Sequence, residues 1–158
     1  MGFEWQWKKY SELSQSELYE ILKVRQAVFV VEQNCVYQDI DELDKEAWHL
    51  LALSKLDSGA SVLAAYLRVI LPGYKYNEAA MGRVLVSQAF RGTGLGKVLV
   101  KKGMAYLESE IPKTAIRISA QQYLTEFYKE LGFVTCSSPY EEDGILHVEM
   151  IRNSESVN

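Results

Sequence analysis

Apolar residues recur at helical spacing in a few stretches of this sequence and form shorter, β-like runs between them. In Ser14–Val31 this spacing predicts a helix, and Ser14 followed by Glu17 has the pattern of a capping box that starts one. Helices are also predicted over Leu95–Glu110 and Leu124–Leu131, the second followed by Gly132 in the position that glycine favours after a helix. Apolar and β-branched runs predict the strands Glu4–Lys8, His49–Leu56, Val62–Leu71, Ala80–Ser87, Ala115–Ala120, Phe133–Ser137 and Ile145–Ile151.

The order of these elements determines the expected fold class. It runs β–α–β–β–β–α–β–α–β–β, which is typical of an α/β domain of mixed α+β type, with helices packed on a central mixed sheet. Asp57-Ser58-Gly59 has hairpin chemistry, and Phe133–Ser137 and Ile145–Ile151 are expected to form an antiparallel pair. A chain of 158 residues fits one domain, which we place at residues 1–153 with a polar tail at 154–158.

Composition and cysteine usage argue against several classes of protein. The 48% apolar and 24% charged residues are ordinary for a globular domain, and the net charge of −4 argues against a general nucleic-acid binder. No apolar run approaches the roughly 18 residues of a membrane span, and Met1–Tyr10 has no apolar stretch of signal-peptide length. Cys35 and Cys136 lack metal-ligand spacing, so we expect free thiols, no metal, no membrane contact and a cytoplasmic location.

The net charge hides two stretches of opposite sign. Arg83–Arg117 holds seven basic and two acidic residues, a balance of +5, which suits an anionic ligand. Asp39–Glu46, expected to be a loop, holds five acidic residues and one basic residue, a balance of −4. This loop, together with Glu141–Asp143, either attracts a cationic ligand or is a solvated surface. Arg68 lies in an otherwise apolar run, so it has either a buried partner or a ligand carboxylate to bind.

The most informative motif is the turn Arg91-Gly92-Thr93-Gly94-Leu95-Gly96, between a predicted strand and a predicted helix. Glycines allow a positive φ and a close approach of the backbone, so amide N–H groups at such a helix start can bind phosphate. The dinucleotide fingerprint does not fit, because Lys97 stands in its last glycine place, and a P-loop would need a first glycine and a hydroxyl that are absent. The pattern [QR]-x-x-G-x-[GA] fits in full, and a glycine-rich helix start without a ligand is the alternative.

That pattern is the pyrophosphate-binding turn of the GNAT N-acetyltransferases, and Ala80–Phe133 resembles this superfamily, including a second signature at Tyr128–Phe133. The resemblance extends to the ElaA-like branch through Val28–Gln33, Asp41, His49-Leu50, Ser119–Gln121 and Glu142–Met150. It implies the acyl-CoA N-acyltransferase fold, a twisted, largely antiparallel sheet with helices on both faces and two splayed central strands. It also implies an enzyme that transfers an acetyl group from acetyl-CoA to a primary amine of a small molecule or peptide, through a tetrahedral intermediate.

The resemblance assigns residues to the cosubstrate acetyl-CoA. It implies that the backbone of Val84, Leu85 and Val86 binds the acetyl carbonyl and the pantetheine arm, with Val86 or Leu85 stabilising the oxyanion. The pyrophosphate would be held at the glycine turn and the start of the following helix. The residues assigned there are Arg91, Gly92, Thr93, Gly94, Leu95, Gly96 and Lys97, and Gln121 and Tyr128 complete the acetyl-CoA-binding set.

The resemblance assigns catalytic roles less completely. Tyr128 matches the tyrosine that protonates the leaving thiolate, and a core aromatic on an amphipathic helix, beside Phe127 and Leu131, is the alternative. Met81–Ser87 contains no carboxylate, so the candidate general bases are Glu32, His49 and His147, and deprotonation through water is the alternative. The implied partners are acetyl-CoA and an amine acceptor, with room for a homodimer. Two other functions stay open: a CoA-binding or regulatory module without turnover, and a transferase for a longer acyl-CoA.

Overall fold

The computed structural model describes residues 2–154, so Met1 and residues 155–158 of the predicted tail lie outside the described part. The helices are α1 (Gln15–Arg25), α2 (Leu95–Glu110) and α3 (Thr125–Glu130). The strands are β1 (Glu4–Lys9), β2 (Trp48–Lys55), β3 (Ser61–Ile70), β4 (Ala79–Val86), β5 (Ile116–Gln121), β6 (Val134–Thr135), β7 (Tyr140–Glu142) and β8 (Ile145–Arg152). No helix within residues 2–154 is long and apolar enough to cross a membrane.

The strands form one sheet in the order β1-β2-β3-β4-β5-β8-β6, and β7 also pairs with β8. Neighbouring strands are antiparallel except β4 and β5, which are parallel. The mixed sheet, the hairpin at Asp57–Gly59 and the antiparallel pair at the end of the chain are therefore confirmed. Strand β7 is not apparent in the sequence, because it has three residues and two of them are exposed carboxylates.

Helices cover both faces of the sheet, as expected for this fold class. Ile21 of α1 and Val28 pack with Leu51 and Leu85 on one face. Helices α2 and α3 bury their apolar sides on the other face, in a larger cluster that includes Leu50. Because Leu50 and Leu51 are adjacent in β2, their side chains point to opposite faces, and the sheet is buried on both sides.

The first predicted helix is correct in its extent but changes its hydrogen bonding. Ser14 caps α1 as expected, since its Oγ accepts from the Glu17 amide at 3.1 Å and Glu17 Oε1 accepts from the Ser14 amide at 2.8 Å. After α1 the chain continues as a π-helical segment, Gln26–Glu32. Segments of this kind are frequent at functional sites, and this one carries Glu32 to the cleft described below.

The end of α3 fixes the position of Tyr128. The Gly132 amide donates to Lys129 O at 3.0 Å and the Phe133 amide donates to Tyr128 O at 3.1 Å, which is the Schellman arrangement. Gly132 has a φ of 95°, in the left-handed region that glycine tolerates. The predicted C′ role of Gly132 is confirmed. The hydrogen bond from the Phe133 amide to Tyr128 O joins the last turn of α3 to the chain that enters β6.

Three arginines and three aspartates form a network of ion pairs on the α1 side of the sheet. We call it the arginine–aspartate network; its members are Arg25, Arg68, Arg83, Asp39, Asp41 and Asp44. Asp44 Oδ1 accepts from Arg25 and from Arg68, both at 2.7 Å. Arg68 also binds both carboxylate oxygens of Asp41, at 2.6 and 2.9 Å. Burial alone would raise the pKa of Asp41, but the hydrogen bonds from Arg68 outweigh it and hold the pKa at about 2.

This network corrects the expectation for the acidic stretch Asp39–Glu46. Asp39, Asp41 and Asp44 are paired with arginines, so these three carboxylates are neither a solvated surface nor a free anionic site. Of the acidic residues in the stretch, only Glu42 and Glu46 are exposed. It also contains a short 3₁₀ turn, Glu42–Lys45, rather than being irregular throughout. Of the two alternatives for Arg68, the structure shows the buried partner. The sequence does not show that these aspartates pair with arginines, because the arginines lie on three separate elements, α1, β3 and β4.

Candidate active site

The two central strands separate and leave a cleft between them. Strands β4 and β5 are paired only at Ala79↔Ile116 and Ala80↔Arg117. Within the described residues, β4 and β5 do not pair beyond these two positions, although β4 continues to Val86 and β5 to Gln121. The space between their diverging ends is a cleft of about 610 Å³. The expected splay of the central strands is present. The edge of β4 that faces β5 is not paired to another strand there, so its backbone groups can bind a ligand, except Val86 O, which accepts from Arg91 Nε at 2.9 Å.

A β-bulge lies in β4 at the point where the cleft opens. Tyr66 pairs with Leu85 and Arg68 pairs with Gly82, so β4 has one residue more than β3 between these pairs. Arg83 takes a φ of 50° there. The extra residue reverses the alternation of faces: Met81 packs on the α2 side before the bulge, and Val84 packs on that side after it. The bulge therefore determines which side chains of β4 face the cleft.

The arginine–aspartate network holds this bulge in place. Arg83 Nε lies 2.8 Å from Asp39 Oδ1, and Arg83 Nη2 donates to Asp39 O at 2.9 Å. The same guanidinium carbon lies 5.9 Å from the ring centre of Tyr37, which also lines the cleft. A non-glycine residue at positive φ is strained, so these contacts offset the cost of the bulge. Arg83 is a site residue that the sequence analysis did not identify, although Gly82-Arg83 inside an apolar strand is the signal of a bulge.

The glycine turn has the backbone geometry expected of a phosphate-binding loop. Gly92 and Gly94 have φ of 77° and 81°, and Gly94 is the residue that precedes α2. Thr93 Oγ1 donates to Phe90 O at 2.8 Å, so its hydroxyl braces the turn from within. The Leu95 side chain is buried in the core and leaves only its backbone for a ligand. The amides at the start of a helix of 16 residues add the positive end of its dipole.

The basic segment Arg83–Arg117 is less positive than its sequence suggests, because most of its cations have partners. Arg91 Nη2 donates to Glu32 Oε2 at 3.1 Å, Lys97 Nζ lies 3.4 Å from Glu130, and Arg117 binds Glu78 and Glu149. Arg91 also donates from Nε to Val86 O at 2.9 Å. The cleft is therefore less basic than expected. Arg91 stabilises the glycine turn through Val86 O and Glu32, and the backbone amides of the turn are the groups left to donate hydrogen bonds to an anion.

Tyr128 occupies the wall of the cleft with its ring buried between aromatic neighbours. Phe127 and Phe133 make edge contacts with it, at ring-centre distances of 5.1 and 5.7 Å. Among residues 2–154 no group forms a hydrogen bond with its hydroxyl, and the residue lines the cleft. Burial raises the pKa of Tyr128, so the phenol keeps its proton at neutral pH. The side chain is thus a protonated phenol, held by aromatic contacts at the wall of the cleft.

The three candidate bases occupy different environments. His49 is buried outside the cleft, with Nδ1 2.6 Å from Tyr66 Oη and Nε2 2.9 Å from Asp44 O, so both ring nitrogens are engaged. Burial lowers the pKa of His49. Glu32 lines the cleft, but its hydrogen bond with Arg91 lowers the pKa of the carboxyl and makes it a poor proton acceptor. His147 lines the cleft as well.

The far end of the cleft is closed by contacts that the sequence could not specify. Gln121 Nε2 donates to Gln33 Oε1 at 3.1 Å, which links β5 to the chain after the π-helical segment. Cys35 Sγ donates to Asp143 O at 2.7 Å, which links the same chain segment to the turn between β7 and β8. Both pairs line the cleft. Cys35 is therefore a buried structural thiol at this wall, and Gln121 is the predicted residue that the structure brings beside it.

Comparisons with known proteins agree with this geometry. A family model described as "Acetyltransferase (GNAT) domain" matches residues 27–153. Protein ElaA of Escherichia coli is 40% identical over 94% of this chain and 95% of its own, and its crystal structure matches with a TM-score of 0.86 over 96% and 99% of the two chains. A UPF0039 protein of Synechocystis is 42% identical over 96% of each chain. The crystal structure of an acyl-CoA N-acyltransferase from Pseudomonas aeruginosa is 38% identical, with a TM-score of 0.87 over 96% and 99% of the two chains. The chain therefore belongs to the GNAT acetyltransferase family, in its ElaA-like branch, and has the acyl-CoA N-acyltransferase fold.

Proposed function

We propose that this protein is an acetyl-CoA-dependent N-acetyltransferase that acetylates a primary amine of a small molecule or peptide. The observation that carries the proposal is a single cleft, between the splayed strands β4 and β5, that has the free edge of β4 on one side and the unpartnered hydroxyl of Tyr128 on its wall. The free edge of β4 can bind a thioester, and the Tyr128 hydroxyl can protonate a thiolate. The proposal keeps the cytoplasm as the compartment and needs no metal.

The proposed binding mode extends from the cleft onto the glycine turn, which adjoins the cleft at Arg91. The pyrophosphate lies at the amides of Gly92–Gly96, with Lys97 at the rim, and the pantetheine arm runs along the free edge of Val84–Val86 toward the bulge at Arg83. A backbone N–H of Val86 or Leu85 stabilises the oxyanion, a contribution of about 3 kcal/mol in enzymes of known mechanism. Gln121 borders the arm from the β5 side.

The proposed reaction has two steps, and both occur at the thioester carbonyl carbon. The neutral amine attacks the thioester carbonyl carbon, and its lone pair forms the new C–N bond. The C–S bond then breaks with its electron pair on sulfur, and Tyr128 gives that sulfur its proton. Burial raises the pKa of Tyr128, so the phenol still carries its proton when the sulfur begins to leave, and the same burial disfavours a free, charged thiolate.

Two measurements test this function against its alternatives. Calorimetry is expected to show acetyl-CoA binding at micromolar concentration, and no binding at tens of micromolar would contradict the proposal. Thiol release is then measured across polyamines, amino acids, aminoglycosides and peptide N-termini. Binding with no release across the panel would favour a CoA-binding module without turnover, and faster release from longer acyl-CoA thioesters would favour a different acyl group.

The glycine turn provides a separate prediction about affinity. Gly94→Ala is expected to weaken acetyl-CoA binding about tenfold, because a φ of 81° costs a residue with a side chain roughly 1–2 kcal/mol and the turn relaxes away from it. Gly96→Ala is the matched control, since a methyl group there makes only ordinary contacts, at 3.6 Å from Val86 and 3.9 Å from Phe127. Calorimetric Kd values for both variants decide the matter, and an equal loss in both would show that space rather than conformation limits binding.

A further inference from the structure

The chain has two histidines, and they differ in whether both ring nitrogens form hydrogen bonds with the protein. Both nitrogens of His49 are engaged by the protein, as described above. In His147, Nδ1 lies 2.8 Å from Ile145 O, which only a protonated nitrogen can satisfy, so the neutral ring carries its hydrogen on Nδ1. Nε2 then has a free lone pair, and the residue lines the cleft. We propose that His147 is the general base that deprotonates the acceptor amine, with Glu142 as the residue that stabilises its protonated form.

The surroundings of His147 hold the ring in one orientation. The Tyr140 ring lies parallel to it within 24°, at a ring-centre distance of 6.1 Å. Tyr140 is itself fixed by a hydrogen bond between its hydroxyl and Ser119 Oγ. His147 is paired with Gln121 across β5 and β8, so it lies on the same sheet face as Gln121 and beside the end of β5 that borders the cleft. Because these contacts fix the orientation of the His147 ring, the ring loses little entropy when it takes a proton.

Glu142 is placed to act only after His147 becomes charged. Its Oε2 lies 3.7 Å from Nε2 of His147, which is too long for a hydrogen bond to the neutral ring. When Nε2 gains a proton, the carboxylate attracts the imidazolium and can accept its new N–H. The same carboxylate also accepts from Ser119 Oγ at 3.4 Å. Glu142 is therefore a positioning residue, and His147 is the group that meets the substrate.

The proposed step rests on the proposed function, and its protons balance. An alkyl ammonium must lose one proton before its nitrogen can attack, because the charged form has no lone pair. Nε2 of His147 takes that proton and later releases it to solvent. The second proton leaves the nitrogen after the C–N bond has formed, and it replaces, through solvent, the proton that Tyr128 gives to sulfur. One ammonium and one thioester thus give one amide, one thiol and one proton.

Other titratable groups at this end of the cleft must be separated from His147 in any test. They are Glu142 and Tyr140 on β7, Asp143 in the following turn and Cys35, whose thiol donates to the backbone of Asp143. Glu149, two residues along β8, is held by Arg117 at 2.8 Å. Glu141, whose register partner is Leu146, is exposed and does not line the cleft, so it is a matched control for Glu142.

The first test reads the ring directly and needs no acceptor. In ¹⁵N-labelled protein, the imidazole signals of His147, assigned with His147→Gln, are expected to show the Nδ1–H tautomer with Nε2 unprotonated at pH 8. An Nε2–H tautomer, or a ring still protonated at that pH, would overturn the proposal whatever the outcome of the amine panel.

The second test uses the amine with the fastest thiol release in the panel. His147→Gln is expected to lower kcat about tenfold at pH 7 and to remove the rise of kcat with pH, while the calorimetric Kd for acetyl-CoA stays the same. Glu142→Gln is also expected to lower kcat, whereas Glu141→Gln should leave kcat unchanged. An unchanged rate and pH profile would overturn the assignment of His147 while leaving the proposed function intact. If no amine releases thiol from the unaltered protein, the proposed function fails on this panel, and the tautomer measurement alone decides the assignment of His147.

Discussion

Replacing Tyr128 with phenylalanine is expected to slow thiol release about 100-fold while the Kd for acetyl-CoA stays the same. General acids contribute roughly 10²–10⁴-fold in enzymes, and the lower figure applies here because water at the open cleft can replace part of the proton transfer. The substitution removes one oxygen atom and leaves the ring between Phe127 and Phe133. Because these ring contacts do not depend on that oxygen, folding should tolerate its loss.

Tyr123→Phe is the matched control for this prediction. Tyr123 lines the same cleft, but its side chain is 74% exposed and its hydroxyl is not positioned by packing. Its rate should equal that of the unaltered protein. The pH profile gives a second criterion: because burial raises the pKa of Tyr128, the proposed acid stays protonated through neutral and mildly alkaline pH. A Tyr128→Phe variant with a full rate, or one that loses acetyl-CoA affinity instead, would contradict the assignment.

The fold could be predicted from the sequence because its elements carry strong local signals. The helix over Leu95–Glu110 is found at its predicted bounds, and the capping box at Ser14 and the C′ glycine at Gly132 are present as expected. Each of these signals depends on residues within one turn of one another. Strand β7 and the bulge at Arg83 were missed because they depend on pairing with another strand. The π-helical segment Gln26–Glu32 was missed because its apolar spacing is close to that of an α-helix, although its hydrogen bonds reach five residues back.

The candidate site was predictable only where its chemistry is local. The glycine turn and Tyr128 can be identified from short motifs, since a backbone conformation and a helix position are properties of neighbouring residues. Charges cannot be assigned in this way. Arg83 and Asp39 are 44 residues apart, and Arg91 and Glu32 are 59 apart, so the sequence shows a basic segment and an acidic loop where the structure shows paired ions. Counting charges along the chain therefore left out the ion pairs that both segments form.

The same pairing fixes the shape of one side of the cleft. Arg83 joins the bulge of β4 to Asp39 in the acidic stretch, and Arg68 joins β3 to Asp41 in the same stretch. The free edge of β4 and the wall beside Tyr37 are thus fixed by one set of contacts. A site that is preorganised in this way loses less entropy on binding. It also makes the cleft depend on the stability of the network, which can be measured.

Arg68→Met is expected to lower the free energy of unfolding by about 3–5 kcal/mol, which for a chain of this size lowers Tm by about 10 °C. Methionine fills the buried space of the arginine stem, but it leaves the Asp41 carboxylate with only Arg83, at 3.4 Å, and removes one of the two partners of Asp44. Scanning calorimetry measures the change. Lys45→Met, which removes an exposed ion pair with Glu42, is the control and should shift the free energy of unfolding by less than about 1 kcal/mol.

The pH dependence separates the charge of Arg68 from its packing. The pKa of Asp41 is about 2 in the folded protein and about 3.9 in an unfolded chain, and the pKa of Asp44 is also lowered. A carboxylate whose pKa is lowered by folding stabilises the protein fully above its unfolded pKa, and this stabilisation is lost as the pH falls toward the folded value. The difference in stability between the unaltered protein and Arg68→Met should therefore be constant from pH 7 to about 5 and shrink between about pH 4 and pH 2. A difference that persists unchanged at pH 3 would mean that the guanidinium acts through packing rather than through its ion pairs.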